Sequence, residues 1–224
     1  RAELYRTQHA LELLRKERAY LEWHNMIGLC GRKWWAGKGV SDYMIDTLKL
    51  GYCASKTIWF AEHEYSTPTA TIPVFAPGWE LMNVRHRLIN PPEQNDKYRP
   101  DRAGLPATLY LTNPNDTPSG ECLLVEGEIK SIVVYDRLEP ERVYVVGLPG
   151  KTPALKTLDL LDNCDRVHII LDPDVTERAY KIAEYIGQKR ARIVSLPVKA
   201  DDFFTMYGGT VDDFNAAIRA GMKI

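Results

Sequence analysis

Two apolar runs that end in carboxylates constrain this chain more than any other feature. Residues 122–125 (Cys-Leu-Leu-Val) lead into Glu126-Gly127, and residues 167–171 (Val-His-Ile-Ile-Leu) lead into Asp172-Pro173-Asp174. A short, continuous apolar run bounded by turn residues reads as a strand covered on both faces, as in a parallel sheet. In open α/β sheets, ligands bind beyond the carboxyl ends of such strands. Three acids delivered there make a set of hard oxygen donors suited to Mg²⁺ or Mn²⁺. The competing reading makes each acid a cap for the helix that follows it, since Asp and Glu are favourable at helix N-termini anyway. The conjunction of Glu-Gly with Asp-x-Asp, each after an apolar run, is more specific than either acid alone.

The chain around these runs alternates. Strands are expected near residues 122–125, 142–146, 167–171 and 192–196, with helices near 128–138, 153–161 and 175–188. Ala179, Ile182, Ala183 and Ile186 fall on one face of the last helix at helical spacing, as core against a sheet. Such alternation implies βαβ units, hence an α/β fold with a mainly parallel sheet and helices on both faces. Residues 112–120 are rich in turn formers and read as a linker. The division expected is an N-terminal α+β subdomain over 1–117 and a catalytic α/β domain over 118–224.

The first part reads differently. Residues 1–25 suggest one amphipathic helix with Leu4, Leu11, Leu14 and Leu21 on a face. Residues 41–49 suggest a short helix capped by Ser41 and followed by Gly51. Short β-like runs at 57–60, 71–75, 81–84 and 108–111, broken by prolines, suggest a smaller, irregular α+β arrangement. Arg1 rather than Met opens the sequence, so a piece of a longer protein is expected.

Composition matters mainly for what it excludes. The four cysteines (30, 53, 122 and 164) form no CxxC pair, so no zinc ribbon is expected, and Cys122 and Cys164 read as buried thiols of a reducing cytoplasm. No run reaches membrane-spanning length, and no signal peptide opens the chain. A net charge of −1 by itself decides nothing about partners, and its distribution is more useful. Cations are concentrated in one stretch, Arg85, Arg87, Lys97, Arg99 and Arg102, with His86 and Tyr98 interleaved. Arginines suit phosphates, aromatics stack on unpaired bases, and strand alternation puts Arg85 and Arg87 on one face. The alternative is ordinary surface pairing with Glu93, Asp96 and Asp101.

The Glu126-Gly127 and Asp172-Pro173-Asp174 pattern resembles a TOPRIM domain over about residues 121–207. Upstream, residues 34–52 with their short helix and Leu50-Gly51-Tyr52 turn, then 71–75, then 82–87, then Asp96-Lys97-Tyr98-Arg99, are together similar to the catalytic core of bacterial and phage-type primases. The resemblance implies Glu126, Asp172 and Asp174 as catalytic metal ligands, with Asp201 or Asp202 completing the set and Lys199 contacting a triphosphate. A charged loop capping the helix at Phe203 is the alternative for those two aspartates. It further implies two Mg²⁺ or Mn²⁺ ions, NTPs, a single-stranded DNA template, an RNA primer, and a replicative helicase as partner or fused domain. Arg85, Arg87, Lys97 and Arg99 would line the template and nucleotide groove. One position departs from the pattern. Many primases place an acid four residues after the glutamate, where this chain has Lys130, which removes a ligand and adds a phosphate-binding cation. Glu128 is a candidate substitute.

Three functions remain open on this reading. The first is primer synthesis by two-metal nucleotidyl transfer, with DNA-dependent RNA polymerase activity. The second is hydrolysis of DNA or RNA by a TOPRIM nuclease. The third is a non-catalytic module that binds single strands, which Lys130 keeps in play.

Overall fold

A computed structural model describes residues 2–93, 97–138, 143–150 and 154–223. They divide into two compact units. The first comprises residues 1–37, 41–75 and 80–106, and the second 38–40, 76–79 and 107–224. Of the expectations above, Asp96 lies outside the described residues, as do the start of the strand at 142 and of the helix at 153.

The first unit contains α1 (Ala2–Glu17), α2 (Ala19–Asn25), α3 (Gly28–Ala36) and α4 (Asp42–Thr47), followed by strands β1 (Gly51–Phe60), β2 (His63–Ala76), β3 (Glu80–Leu88) and β4 (Tyr98–Pro100). The single helix expected over 1–25 is broken at Arg18, which sits in the left-handed region at φ 52°. Neither Gly nor Pro marks that break. Of its expected apolar face, Leu14 is buried but Leu4 is 64% exposed. The helix α3 was not anticipated, because Gly28 and Gly31 lower helix propensity. Gly31 is there for space: a Cβ would come within 2.7 Å of the Tyr52 Cβ. Ser41 caps α4 as expected, its side chain accepting from the Met44 N–H.

The strands are more regular than the prolines suggested. They form a four-stranded sheet in the order β1-β2-β3-β4, with β1–β2 and β3–β4 antiparallel. Pro68 lies inside the 14-residue strand β2. The β1–β2 register shifts between Cys53 and Lys56, opposite Thr69 and Thr67, so the proline lies at an irregularity where the ladder does not need its missing N–H.

The second unit holds β5 (Tyr110–Leu111), β6 (Gly120–Glu126), α5 (Glu128–Leu138), β7 (Val143–Leu148), a 3₁₀ turn (Leu155–Leu161), β8 (Cys164–Ile170), α6 (Thr176–Ile186), β9 (Ala191–Ile193), α7 (Ala200–Thr205), α8 (Val211–Arg219) and β10 (Met222–Lys223). Its sheet runs β10-β9-β8-β6-β7-β5. The four inner strands are parallel, and the two short edge strands are antiparallel. The expected mainly parallel sheet, covered on both faces, is therefore present.

Residues 122–125 are at most 1% exposed, as a central strand requires. Cys122 and Leu124 join Val167, Ile169 and the α6 stripe Ala179, Ile182, Ala183 and Ile186 on one side. Leu123 and Val125 join Val134 of α5, Phe203 of α7 and Phe214 of α8 on the other. Cys122 and Cys164 are buried free thiols. The expected boundary at 117/118 falls too late. Leu109, Tyr110 and Leu111 are buried in the second unit, and Thr112 donates from Oγ1 to the Val145 carbonyl, so the supposed linker begins as part of the sheet.

Candidate active site

The parallel register of β6 and β8 pairs Val125 with Ile170, so the next residues of both strands emerge side by side at the carboxyl edge. Glu126 ends β6, and the chain after β8 turns at Asp172. The Asp172 N–H donates to Glu126 Oε2 at 3.2 Å, which ties the two strand ends together. Gly127 follows Glu126 at φ 85°, a conformation that a side chain would strain, and lets the chain turn directly into α5.

Each of these acids has a cation. Lys130, in the first turn of α5, places Nζ 2.5 Å from Asp172 Oδ1. Arg178, in the first turn of α6, places Nη1 3.6 Å from Glu126 Oε1 and donates from Nη2 to the Gly150 carbonyl at 3.0 Å. All four side chains are between 14% and 17% exposed, so the pairs are largely shielded from water. Burial lowers the basicity of Arg178, while Glu126 and Asp172 oppose that shift. A cation in the first turn of a helix works against the helix dipole. That anomaly was the sequence signal for Arg178, which the stripe Ala179–Ile182–Ala183–Ile186 overshadowed.

The capping alternative fails for Asp172 and Asp174. The N-cap position of α6 is Val175, with no side-chain cap, and Asp174 is exposed on the turn before it. At α7 the N-cap is Lys199, which is exposed and makes no side-chain cap. Asp201 and Asp202 occupy the first turn of that helix. Asp201 is the more telling of the two. Burial pushes its carboxyl up, Asp202 adds to the rise, and the nearby Lys130 ammonium opposes it. Its Oδ1 is buried with no hydrogen-bond partner. Glu128, the candidate substitute ligand, is only 2% exposed, and the similarly buried Tyr110 hydroxyl is pushed up first by burial and then by the Glu128 carboxylate.

Glu126 and Asp172, joined by the bond from the Asp172 backbone to the Glu126 side chain, carry hard oxygen donors of the kind that suit Mg²⁺ or Mn²⁺. Among the described residues, no three His, Cys, Asp or Glu side chains gather around a common point. Asp174, Asp201 and Asp202 are thus not gathered with the Glu126–Asp172 pair into one cluster.

The basic stretch lies on the first unit. Arg85 and Arg87 do share a face of β3, and their guanidinium carbons lie 5.0 and 5.4 Å from the Tyr98 ring centre on β4. Tyr98 is therefore engaged by two cations, and Arg99 donates from Nη1 to the Tyr98 carbonyl. His86 points the other way and is fully buried, bonded to Thr69 Oγ1 and Asp101 Oδ1. Arg102 pairs with Glu17 and Asp101. His86 and Arg102 thus belong to the packing of the unit. The register sets Tyr98 opposite Arg87 and Arg99 opposite His86, so the cationic face is made by Arg85 and Arg87 with Tyr98, Arg99 falls on the other side of the sheet, and Lys97 precedes β4.

No protein-family model matches the chain, and no similar curated protein is found. Solved structures do match. A DnaG primase catalytic domain bound to single-stranded DNA superposes with a TM-score of 0.72 at 15% identity, covering 98% of this chain and 83% of that one. The E. coli primase catalytic core gives 0.71 at 16% identity, covering 95% and 80%. The primase fragment of the bacteriophage T7 primase-helicase protein gives 0.61 at 14% identity, covering 82% and 72%. The chain has the fold of a primase catalytic core.

Proposed function

We propose that this chain is a primase-type nucleotidyltransferase, a DNA-dependent RNA polymerase that makes short RNA primers on single-stranded DNA. The observation that carries this reading is the joining of Glu126 to Asp172 at neighbouring parallel strand ends, on a fold shared with primase cores. Glu126 and Asp172 would hold Mg²⁺ or Mn²⁺, with Asp174, Asp201 and Asp202 as further acids at the same edge of the sheet. A divalent ion bound there would supply charge neutralisation on the transferring phosphate and lower the pKa of the attacking hydroxyl.

The protein's own groups do the rest. Lys130 and Arg178 are cations held at the acids, placed to meet the negative oxygens of an incoming NTP. Lys199, exposed at the head of α7, is a further triphosphate contact. Arg85, Arg87 and Lys97 would hold template or primer phosphates without reading sequence. A replicative helicase is the partner that such a primer-making activity would serve, since the T7 neighbour is a primase-helicase protein.

Incubation with single-stranded DNA, labelled NTPs and Mg²⁺ or Mn²⁺ tests the reading. Short oligoribonucleotides are expected. Shortened DNA instead would make the chain a nuclease. A second reading, a non-catalytic module that binds single strands, is favoured by one observation: both acids already carry a cation of the chain. Binding of DNA without synthesis or cleavage would establish it.

A further inference from the structure

We propose that Lys130 is a built-in counter-ion of the acidic site, so that the site takes up a single divalent ion where two would otherwise be expected. The proposal rests on the nucleotidyl-transfer reading only for the identity of the ion. Lys130 is the third residue of α5, four positions after Glu126, and the first turn of the helix carries its side chain back over the strand ends. Its ammonium meets Asp172 at 2.5 Å and is close enough to Asp201 to favour that carboxylate's charged form. One ammonium therefore serves acids from two elements, the turn after β8 and the first turn of α7.

The titratable groups around it are Glu126, Asp172, Asp201 and, beyond Asp201, Asp202, with Arg178 on the Glu126 side. A divalent ion entering between Glu126 and Asp172 gains two carboxylates. A second ion near Asp172 and Asp201 would face Lys130 at contact distance, and that repulsion is strong in a shielded site. The position is also one ligand short, because Lys130 occupies the place from which a carboxylate could reach it. A fixed positive charge at this point supplies part of the neutralisation that a second ion brings, without the need to be bound from solution.

Arg178 is the less suitable candidate for this role. Its contact with Glu126 is longer, at 3.6 Å, and a second nitrogen is anchored on the Gly150 carbonyl. The buried Oδ1 of Asp201, which has no hydrogen-bond partner, marks the side of Lys130 on which an additional cation would be accommodated if the ammonium were gone.

Mn²⁺ titration of the full chain, without nucleotide or DNA, tests this by calorimetry and by the loss of the free-ion electron paramagnetic resonance signal. Wild type is expected to bind one ion. Lys130→Met keeps most of the aliphatic stem and removes the charge, and should tighten the first site by about tenfold. Lys130→Asp should tighten it further and add a second ion, because it also supplies oxygen ligands. Two ions bound by wild type, or equal stoichiometry and affinity in all three proteins, would overturn the proposal, as would no uptake by any of them. The ion count is independent of catalysis. Primer synthesis with two ions bound would overturn the counter-ion alone, whereas one ion and no primers would overturn the function and leave the counter-ion standing.

Discussion

The Asp172 backbone N–H is hydrogen-bonded to the Glu126 carboxylate, so two acids 46 positions apart are fastened by the strand ends that present them. The bond uses the backbone of one residue and the side chain of the other, and it leaves the Asp172 carboxylate to Lys130. The site is therefore pre-set by pairing rather than by mutual repulsion of bare acids.

That pairing alters what substitution should do. Glu126→Gln preserves an acceptor for the Asp172 N–H and removes a negative ligand. Asp172→Asn preserves shape and weakens the hold on Lys130. Each should reduce primer synthesis at least about a hundredfold, the scale of losing one charge-stabilising group at a reaction centre. Neither should be stability-neutral, since each leaves a shielded cation without its anion. A loss of about 1 kcal/mol is expected. Steady-state synthesis and urea melts on the same preparations check both numbers, and a variant with undiminished turnover would remove that acid from the reaction.

Arg85 and Arg87 lie over one tyrosine on the cationic face of β3 and β4. If they bind phosphates, Arg87→Ala and Arg85→Ala should each weaken single-stranded DNA binding and lower the salt slope by about one. Tyr98→Leu should weaken binding too, by loosening the stem on which both guanidinium groups rest. Fluorescence anisotropy at several salt concentrations measures both quantities. Slopes equal to wild type in the two arginine variants would make this face a packing feature of the sheet.

Much of the second unit was legible because burial on both faces leaves a signature: residues 122–125 and 167–171 are continuous apolar runs, and α6 shows its stripe at helical spacing. What sequence could not show was pairing across elements. Whether Lys130 turns toward Asp172 or toward solvent depends on where α5 begins, and that is set by the Gly127 turn. His86 and Arg85 are neighbours in a basic stretch, yet strand alternation sends one into the core and the other to the surface. The break at Arg18 was hidden because nothing in the local residue types marks it, and the long strand through Pro68 because a proline reads as the end of a strand. Leu109, Tyr110 and Leu111 were read as a β-like run but assigned to the wrong unit, because the sheet they join is decided by pairing with β7, more than thirty residues on.

The last prediction concerns acid sensitivity of the first unit. Asp101 is nearly buried between His86, Lys56 and Arg102. Burial alone would raise its carboxyl, but the His86 and Lys56 contacts outweigh burial and hold it well below the usual carboxylate range. His86 is pushed down, first by burial and also by Lys56, with Asp101 opposing. A neutral His86 then donates from Nε2 to Asp101 and accepts the Thr69 hydroxyl at Nδ1. Both groups have folded values below their unfolded ones, so the signs agree. Their contribution is complete above about pH 6.5 for His86 and about pH 4 for Asp101, and it is lost as pH falls, because the unfolded chain takes up the proton first. The urea midpoint of the first unit should therefore fall from pH 7.5 to 5 and fall again below 4. His86→Gln should flatten the upper limb. Asp101→Asn should flatten the lower limb and cost about 3 kcal/mol at pH 7.5, since it strips the anion from two partly buried cations. A wild-type midpoint that stays constant from pH 7.5 to 3.5 would mean that this buried network does not couple folding to protons.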